Sequence, residues 1–126
     1  MTADAADTDA DAQRRKPIRL SSGEELDDLV AEDDLVLVDL YTKGCTLCQS
    51  IEPVVGNVAR ATDVTVAMLN PRDDPDLIER FDVRSVPTLL LFEDGELVGR
   101  LAEGFQGTDA IVGFVEEHSS RAIAAE

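Results

Sequence analysis

Apolar residues along this chain switch between a spacing of two and a spacing near 3.6, and the switches mark out its elements. Residues 18–20 (Ile-Arg-Leu) are a short strand pattern. Ser22 followed three residues later by Glu25 is a capping box. It opens a helix to about Asp33, with Leu26, Leu29 and Val30 on one face. Residues 35–41 are almost continuously apolar, the pattern of a strand covered on both faces. From Cys45 to Thr62, the residues Ile51, Val54, Val55 and Val58 recur at helical spacing. Pro53 falls inside that helix and predicts a kink, because it removes an N–H and crowds the preceding turn. Residues 64–70 form a third strand. Asp74–Pro75 predicts an N-cap followed by proline at the first helical position, with a short helix to about Phe81. Residues 87–93 and 96–101 are two strands joined at Asp94–Gly95, a specific hairpin signal. A last helix begins at Gly107 or Thr108 and turns Ile111, Val112, Phe114 and Val115 inward.

The order is β-α-β-α-β-α-β-β-α. Strands joined through helices are expected to run largely parallel with right-handed crossovers, and the terminal hairpin adds an antiparallel strand. The expected fold class is α/β, with a mixed central sheet of about five strands flanked by helices on both faces. Phe81, Phe92 and Phe114 read as core. His118 reads as a solvated residue near a helix end, and Asp73–Asp74 and Glu116–Glu117 as exposed acidic faces. Residues 1–16 carry Asp4, Asp7, Asp9 and Asp11 with no periodic apolar face, which predicts a disordered acidic leader. One domain is expected over residues 17–120, followed by a flexible tail at 121–126.

Charge narrows the function classes. The chain has 27 acidic and 11 basic residues, a net charge of −16. Nucleic acid and anionic membranes are poor partners for such a surface, since both require a basic face. Lys16 and Lys43 are the only lysines. An Asp-rich, Lys-poor surface on an ordinary core resembles that of cytosolic proteins from salt-loving archaea, in which high salt screens the self-repulsion; a merely soluble acidic protein is the alternative. The same repulsion favours a monomer at low salt. No apolar run approaches the roughly 18 residues of a membrane helix. Arg14–Arg15 resembles an export signal, but Pro17-Ile18-Arg19-Leu20 leads straight into Ser21–Ser22 with no apolar stretch, so a cytoplasmic location is expected.

The chain has two cysteines, Cys45 and Cys48. They are too few for a disulfide scaffold. A structural zinc site usually takes four Cys or His ligands, and beyond this pair the chain offers only the distant His118. The pair follows a strand directly and opens a helix. Sites in open α/β sheets form beyond the carboxyl ends of strands. Unpaired N–H groups and the positive end of the helix dipole favour thiolate there. A spacing of three lets one sulfur reach the other within a turn. Disulfide exchange needs both roles: a thiolate that attacks, and a neighbour that resolves the mixed disulfide. Cys45, at the exposed helix start, is expected to be the nucleophile, and Cys48, one turn inside, the resolving thiol. Two small buried hydrophobes or a static bridge are the alternatives. No bound cofactor or metal is expected, because the dithiol carries the electrons.

The stretch from about Ile18 to Val115 resembles the thioredoxin family. The matching pieces are VLVDLY before the cysteines, Cys-x-x-Cys, Pro53, the SVPTLLLFEDGELV run at residues 85–98, and Gly104. The resemblance implies a thioredoxin fold and roles for four further residues. Asp39, six residues before Cys45 in an apolar strand, would be a desolvated carboxyl of raised pKa that accepts the proton of Cys48; a strand-end carboxylate facing solvent is the alternative. Pro87 matches the family's cis-proline and would hold the Val86 backbone beside the sulfurs, open to an extended substrate segment. Gly104 would keep a facing loop open to substrate, or is a plain turn glycine.

The chain departs from the family at several positions. Gly44 stands where thioredoxins usually carry tryptophan, Thr46-Leu47 replaces Gly-Pro, and Met68 takes the place of a lysine near the aspartate. Loss of that cation is expected to push the Asp39 pKa higher still. The approach Tyr41-Thr42-Lys43-Gly44 is locally more like glutaredoxins. The function expected is a thioredoxin-like protein-disulfide reductase. It would act on disulfide-bearing protein substrates and be recharged by a thioredoxin reductase or another thiol donor. A glutathione-dependent reductase and a redox-sensing module for one partner are the rival readings.

Overall fold

The structure is a computed structural model, and it describes residues 16–120. Nearly all of the acidic leader and the tail at 121–126 lie outside the described residues. Five strands, β1 (Ile18–Leu20), β2 (Leu35–Leu40), β3 (Thr65–Leu69), β4 (Thr88–Glu93) and β5 (Glu96–Leu101), form one sheet in the order β1-β3-β2-β4-β5. Four α-helices accompany them: α1 (Gly23–Glu32), α2 (Thr46–Ala61), α3 (Asp76–Arg80) and α4 (Thr108–His118).

The continuous apolar run of β2 is explained by its place at the centre, where every one of its residues is buried. Its alternate side chains feed two cores. Leu35 and Leu37 join Val66, Met68, Leu89 and Leu91 under α2 and α4, which contribute Ile51, Val55, Ile111 and Val115. Val36, Val38 and Leu40 join Ala67, Leu69, Leu90 and Phe92 under Leu26 of α1 and Leu77 and Phe81 of α3. The helices thus cover both faces, as the periodicity implied.

Strand direction corrects one expectation. β1 and β2 run parallel to β3, but β4 is antiparallel to β2 although a helix precedes it. The reason is the length of that connection. A full crossover must carry the chain back along the sheet, and five-residue α3 rises only about 7.5 Å. The chain leaves β3 at Leu69 and enters β4 at Thr88, and both are paired with Leu40 at the same end of β2. This geometry delivers Pro87 to the carboxyl end of the central strand.

Capping is partly as predicted. The Ser22 side chain accepts from the Glu25 N–H at 3.1 Å, while the Glu25 carboxylate accepts from the Ser21 N–H at 2.6 Å. Asp74 is not the side-chain cap of α3. A 3₁₀ turn over Pro71–Asp73, capped by Asn70, comes first, and α3 starts with no side-chain cap. The Asp74 carboxylate instead accepts from the Gly23 N–H at 2.8 Å, tying α3 to the start of α1. The helices meet closely there: a Cβ on Gly23 would lie 2.8 Å from Leu77 Cδ2. The β4–β5 turn places Asp94 and Gly95 at φ 53° and 84°, the left-handed pair of a type I′ hairpin.

Candidate active site

The carboxyl end of β2 and the start of α2 bring the two cysteines together. Cys45 is the N-cap of α2, and its Sγ accepts from the Cys48 N–H at 3.1 Å. The pair is closed as a disulfide, with Cα atoms 5.2 Å apart. Cys45 is half-buried and Cys48 is buried. Despite the acidity of the chain, the first turn of α2 contains no carboxylate. An anionic sulfur at Cys45 therefore meets an N–H donor and the helix dipole without local repulsion.

The loop before β4 faces this sulfur. The Val86–Pro87 bond is cis, Pro87 is buried, and the Val86 carbonyl oxygen lies 3.9 Å from Cys45 Sγ. The Thr88 hydroxyl donates to the Ser85 carbonyl at 2.6 Å and holds the loop. Gly104 comes to the other side, with φ at 79°; a Cβ there would lie 3.7 Å from Leu47 Cδ1. The structure therefore brings Cys45, Val86 and Pro87 to one place, with Gly104 against the dipeptide between the cysteines. Leu47 and Phe105 are 47% and 50% exposed and give the site an apolar margin. The sequence did not single out Phe105, because an aromatic residue in a Gly-rich loop has no periodicity to place it.

Asp39 lies on the sheet face that α2 covers. It is 0% exposed, which rules out the solvent-facing alternative, and neither carboxyl oxygen has a hydrogen-bond partner. Burial pushes its pKa from 3.8 up to about 7; the charge of Glu52 adds to the rise and that of Arg19 opposes it. Met68 is indeed its neighbour on β3, yet Asp39 is not without a cation, because Arg19 stands next in the same row. The sequence reading missed Arg19 and Glu52. Glu52 was recoverable, being four residues after Cys48 and so on the same helix face.

A half-buried sulfur at a helix start and a buried partner one turn on form an arrangement able to carry a two-step disulfide exchange. The family model described as thioredoxin matches residues 17–117. The chain belongs to the thioredoxin family. A thioredoxin from Mycobacterium tuberculosis is 35% identical over 104 residues, spanning 81% of this chain and 89% of that protein. One from Chlamydia caviae is 31% identical, spanning 81% of this chain and 99% of that protein. A mutant thioredoxin from Halobacterium salinarum superposes with a TM-score of 0.80 at 36% identity, covering 87% of this chain and 96% of that one. Family membership and the Cys45–Cys48 pair at bonding distance together make the protein a thiol–disulfide oxidoreductase with the thioredoxin fold.

Proposed function

We propose that this thioredoxin-family protein reduces disulfides in other proteins, with Cys45 attacking and Cys48 resolving. The observation that carries the reading is the asymmetry of the pair: Cys45 is reachable at the helix start, whereas Cys48 is 3% exposed. The Cys45 thiolate attacks one sulfur of the substrate disulfide, and the other substrate sulfur leaves as a thiolate. Cys48 then passes its proton to Asp39 and attacks Cys45 Sγ, and the second substrate sulfur leaves. Two electrons pass to the substrate and the protein is left as the disulfide. Val86, Pro87 and Gly104 would bind the substrate backbone, and Leu47 and Phe105 fit an apolar residue beside its cysteine.

A thioredoxin reductase or another thiol donor would restore the dithiol. The acidic, lysine-poor composition supports work as a monomer in the cytoplasm of a salt-adapted cell.

The test is reduction of a model protein disulfide with dithiothreitol as donor, together with trapping on a Cys48→Ser variant. Wild type should be active, Cys45→Ser inactive, and Cys48→Ser should accumulate mixed disulfides with many proteins. A Cys45→Ser variant as active as wild type would overturn the assignment. Capture of a single partner would favour a dedicated redox sensor, and activity confined to a glutathione-coupled assay a glutaredoxin-like role.

A further inference from the structure

Arg19, Met68, Asp39 and Leu89 are consecutive partners across β1, β3, β2 and β4, so they share one sheet face. At the usual strand spacing the backbone of Arg19 stands about 10 Å from that of Asp39. The Arg19 side chain is 57% exposed, yet its guanidinium is held against the neighbouring elements. It donates to the Glu52 carboxylate at 2.6 Å and to the Tyr41 hydroxyl at 3.3 Å, and lies 5.9 Å from the centre of the Tyr41 ring. Tyr41 is two residues beyond Asp39 on the same strand face, and Glu52 is one helical turn beyond Cys48. An ion pair linking β1 to α2 therefore stands at the edge of the face that buries Asp39.

Among the described residues, the core that the other elements build on this face is apolar. β3 and β4 present Met68 and Leu89, β5 presents Val98 and Leu101, α4 presents Ile111, Phe114 and Val115, and α2 otherwise presents Ile51 and Val55. Tyr41, just past the end of β2, is half-buried, and Lys43 on the loop beyond is exposed. Both Asp39 oxygens are unpartnered, so burial sets the rise in its pKa and the charges of Glu52 and Arg19, one on each side of the balance, adjust it.

We propose that Arg19 and Glu52 act together as positioning residues for Asp39, a cation and an anion whose ion pair tunes, on top of burial, when it holds its proton. Arg19 favours the charged carboxylate, and Glu52 favours the neutral acid that forms when Cys48 gives up its proton. The pairing keeps the two effects in balance, because each charge holds the other in place. The proposal rests on the reading of Asp39 as proton acceptor for its consequence in catalysis, but not for its effect on Asp39 itself.

The experiment follows the Asp39 carboxyl carbon by NMR across pH in the oxidised protein, in which the cysteines do not titrate, for wild type, Arg19→Gln, Glu52→Gln and Arg19→Lys. Half-exposed charges at the edge of the same sheet face move a titration by roughly a few tenths to one pH unit. Glu52→Gln should move the Asp39 midpoint down by that amount, Arg19→Gln should move it up, and Arg19→Lys should leave it near wild type. Midpoints that stay put, or move in the same direction in both glutamine variants, overturn the proposal. A merely structural role would loosen the face, hydrate Asp39 and lower both. The pH profile of protein-disulfide reduction should shift with the midpoints. If the midpoints shift and the profile does not, the pair still controls Asp39, and it is the reading of Asp39 as proton acceptor that fails.

Discussion

Replacing Asp39 with asparagine should make this protein more resistant to unfolding as the pH rises, relative to wild type. In the unfolded chain the carboxyl titrates near 3.8, whereas in the fold it titrates at about 7. Between those values the native state holds a proton that the unfolded state has released. Wild-type stability therefore falls as the pH climbs through that window, and levels off once both states are ionised. The rise from 3.8 to about 7, at 1.36 kcal/mol per unit, makes the loss about 4 kcal/mol between pH 4 and pH 8. That is a large fraction of the 5–15 kcal/mol typical of a small domain. The Asp39→Asn variant lacks this titration and keeps a neutral polar group in the same buried place. Guanidinium unfolding of both oxidised proteins at fixed salt, from pH 4 to 8.5, reads the difference directly. The variant's advantage should grow with pH by up to about 1.36 kcal/mol per unit across the window and level off above about pH 8. An advantage that does not change with pH, or that shrinks as pH rises, refutes the assignment of a raised pKa to this carboxyl.

Other substitutions separate substrate contact from stability. Gly104→Ala puts a Cβ at a φ of 79°, which costs about 1–2 kcal/mol. The added methyl meets Leu47 Cδ1 at an ordinary 3.7 Å, so the protein should fold, with a raised KM for protein disulfides and little change in kcat in steady-state assays. Asp74→Ala removes the acceptor of the Gly23 N–H and should cost about 1–3 kcal/mol in denaturant unfolding. It should leave disulfide reduction unchanged, because α1 and α3 lie on the sheet face opposite α2.

The chain's local grammar was legible to the extent that each signal acts within a few residues. The continuous apolar run at 35–40 and the helical spacing of Ile51, Val55 and Val58 set the two central elements, because a strand buried on both faces and a helix buried on one each leave their own pattern. The Ser22–Glu25 cap and the Asp94–Gly95 turn are decided by bonds and dihedrals within four residues. Asp74 failed as a cap for the opposite reason. An aspartate before a proline looks the same whether its carboxylate turns to its own helix or to Gly23, 51 positions away, and the close packing of α1 on α3 selects the second. The direction of β4 depended on the length of the connection from β3, whose five-residue helix is too short to carry the chain back along the sheet, and a count of helices does not reveal that.

The same divide runs through the active site. Cys45, Cys48 and Pro87 sit in segments whose local pattern announces them, so their convergence needed only the strand order to be right. The environment of Asp39 could not be read that way. Substitution of a lysine by Met68 suggests a carboxyl left without a cation, and along the chain Arg19 is 20 positions away with nothing to connect them. Register supplies the connection. Once β1 pairs with β3 and β3 with β2, Arg19 and Asp39 fall in one row, and the helix that carries the cysteines brings Glu52 within 2.6 Å of the guanidinium. Electrostatics at a buried carboxyl sums over whatever the fold gathers around it, irrespective of sequence distance. A single departure from a family pattern therefore says which charge has gone, whereas only the paired strands show which charges have taken up its place.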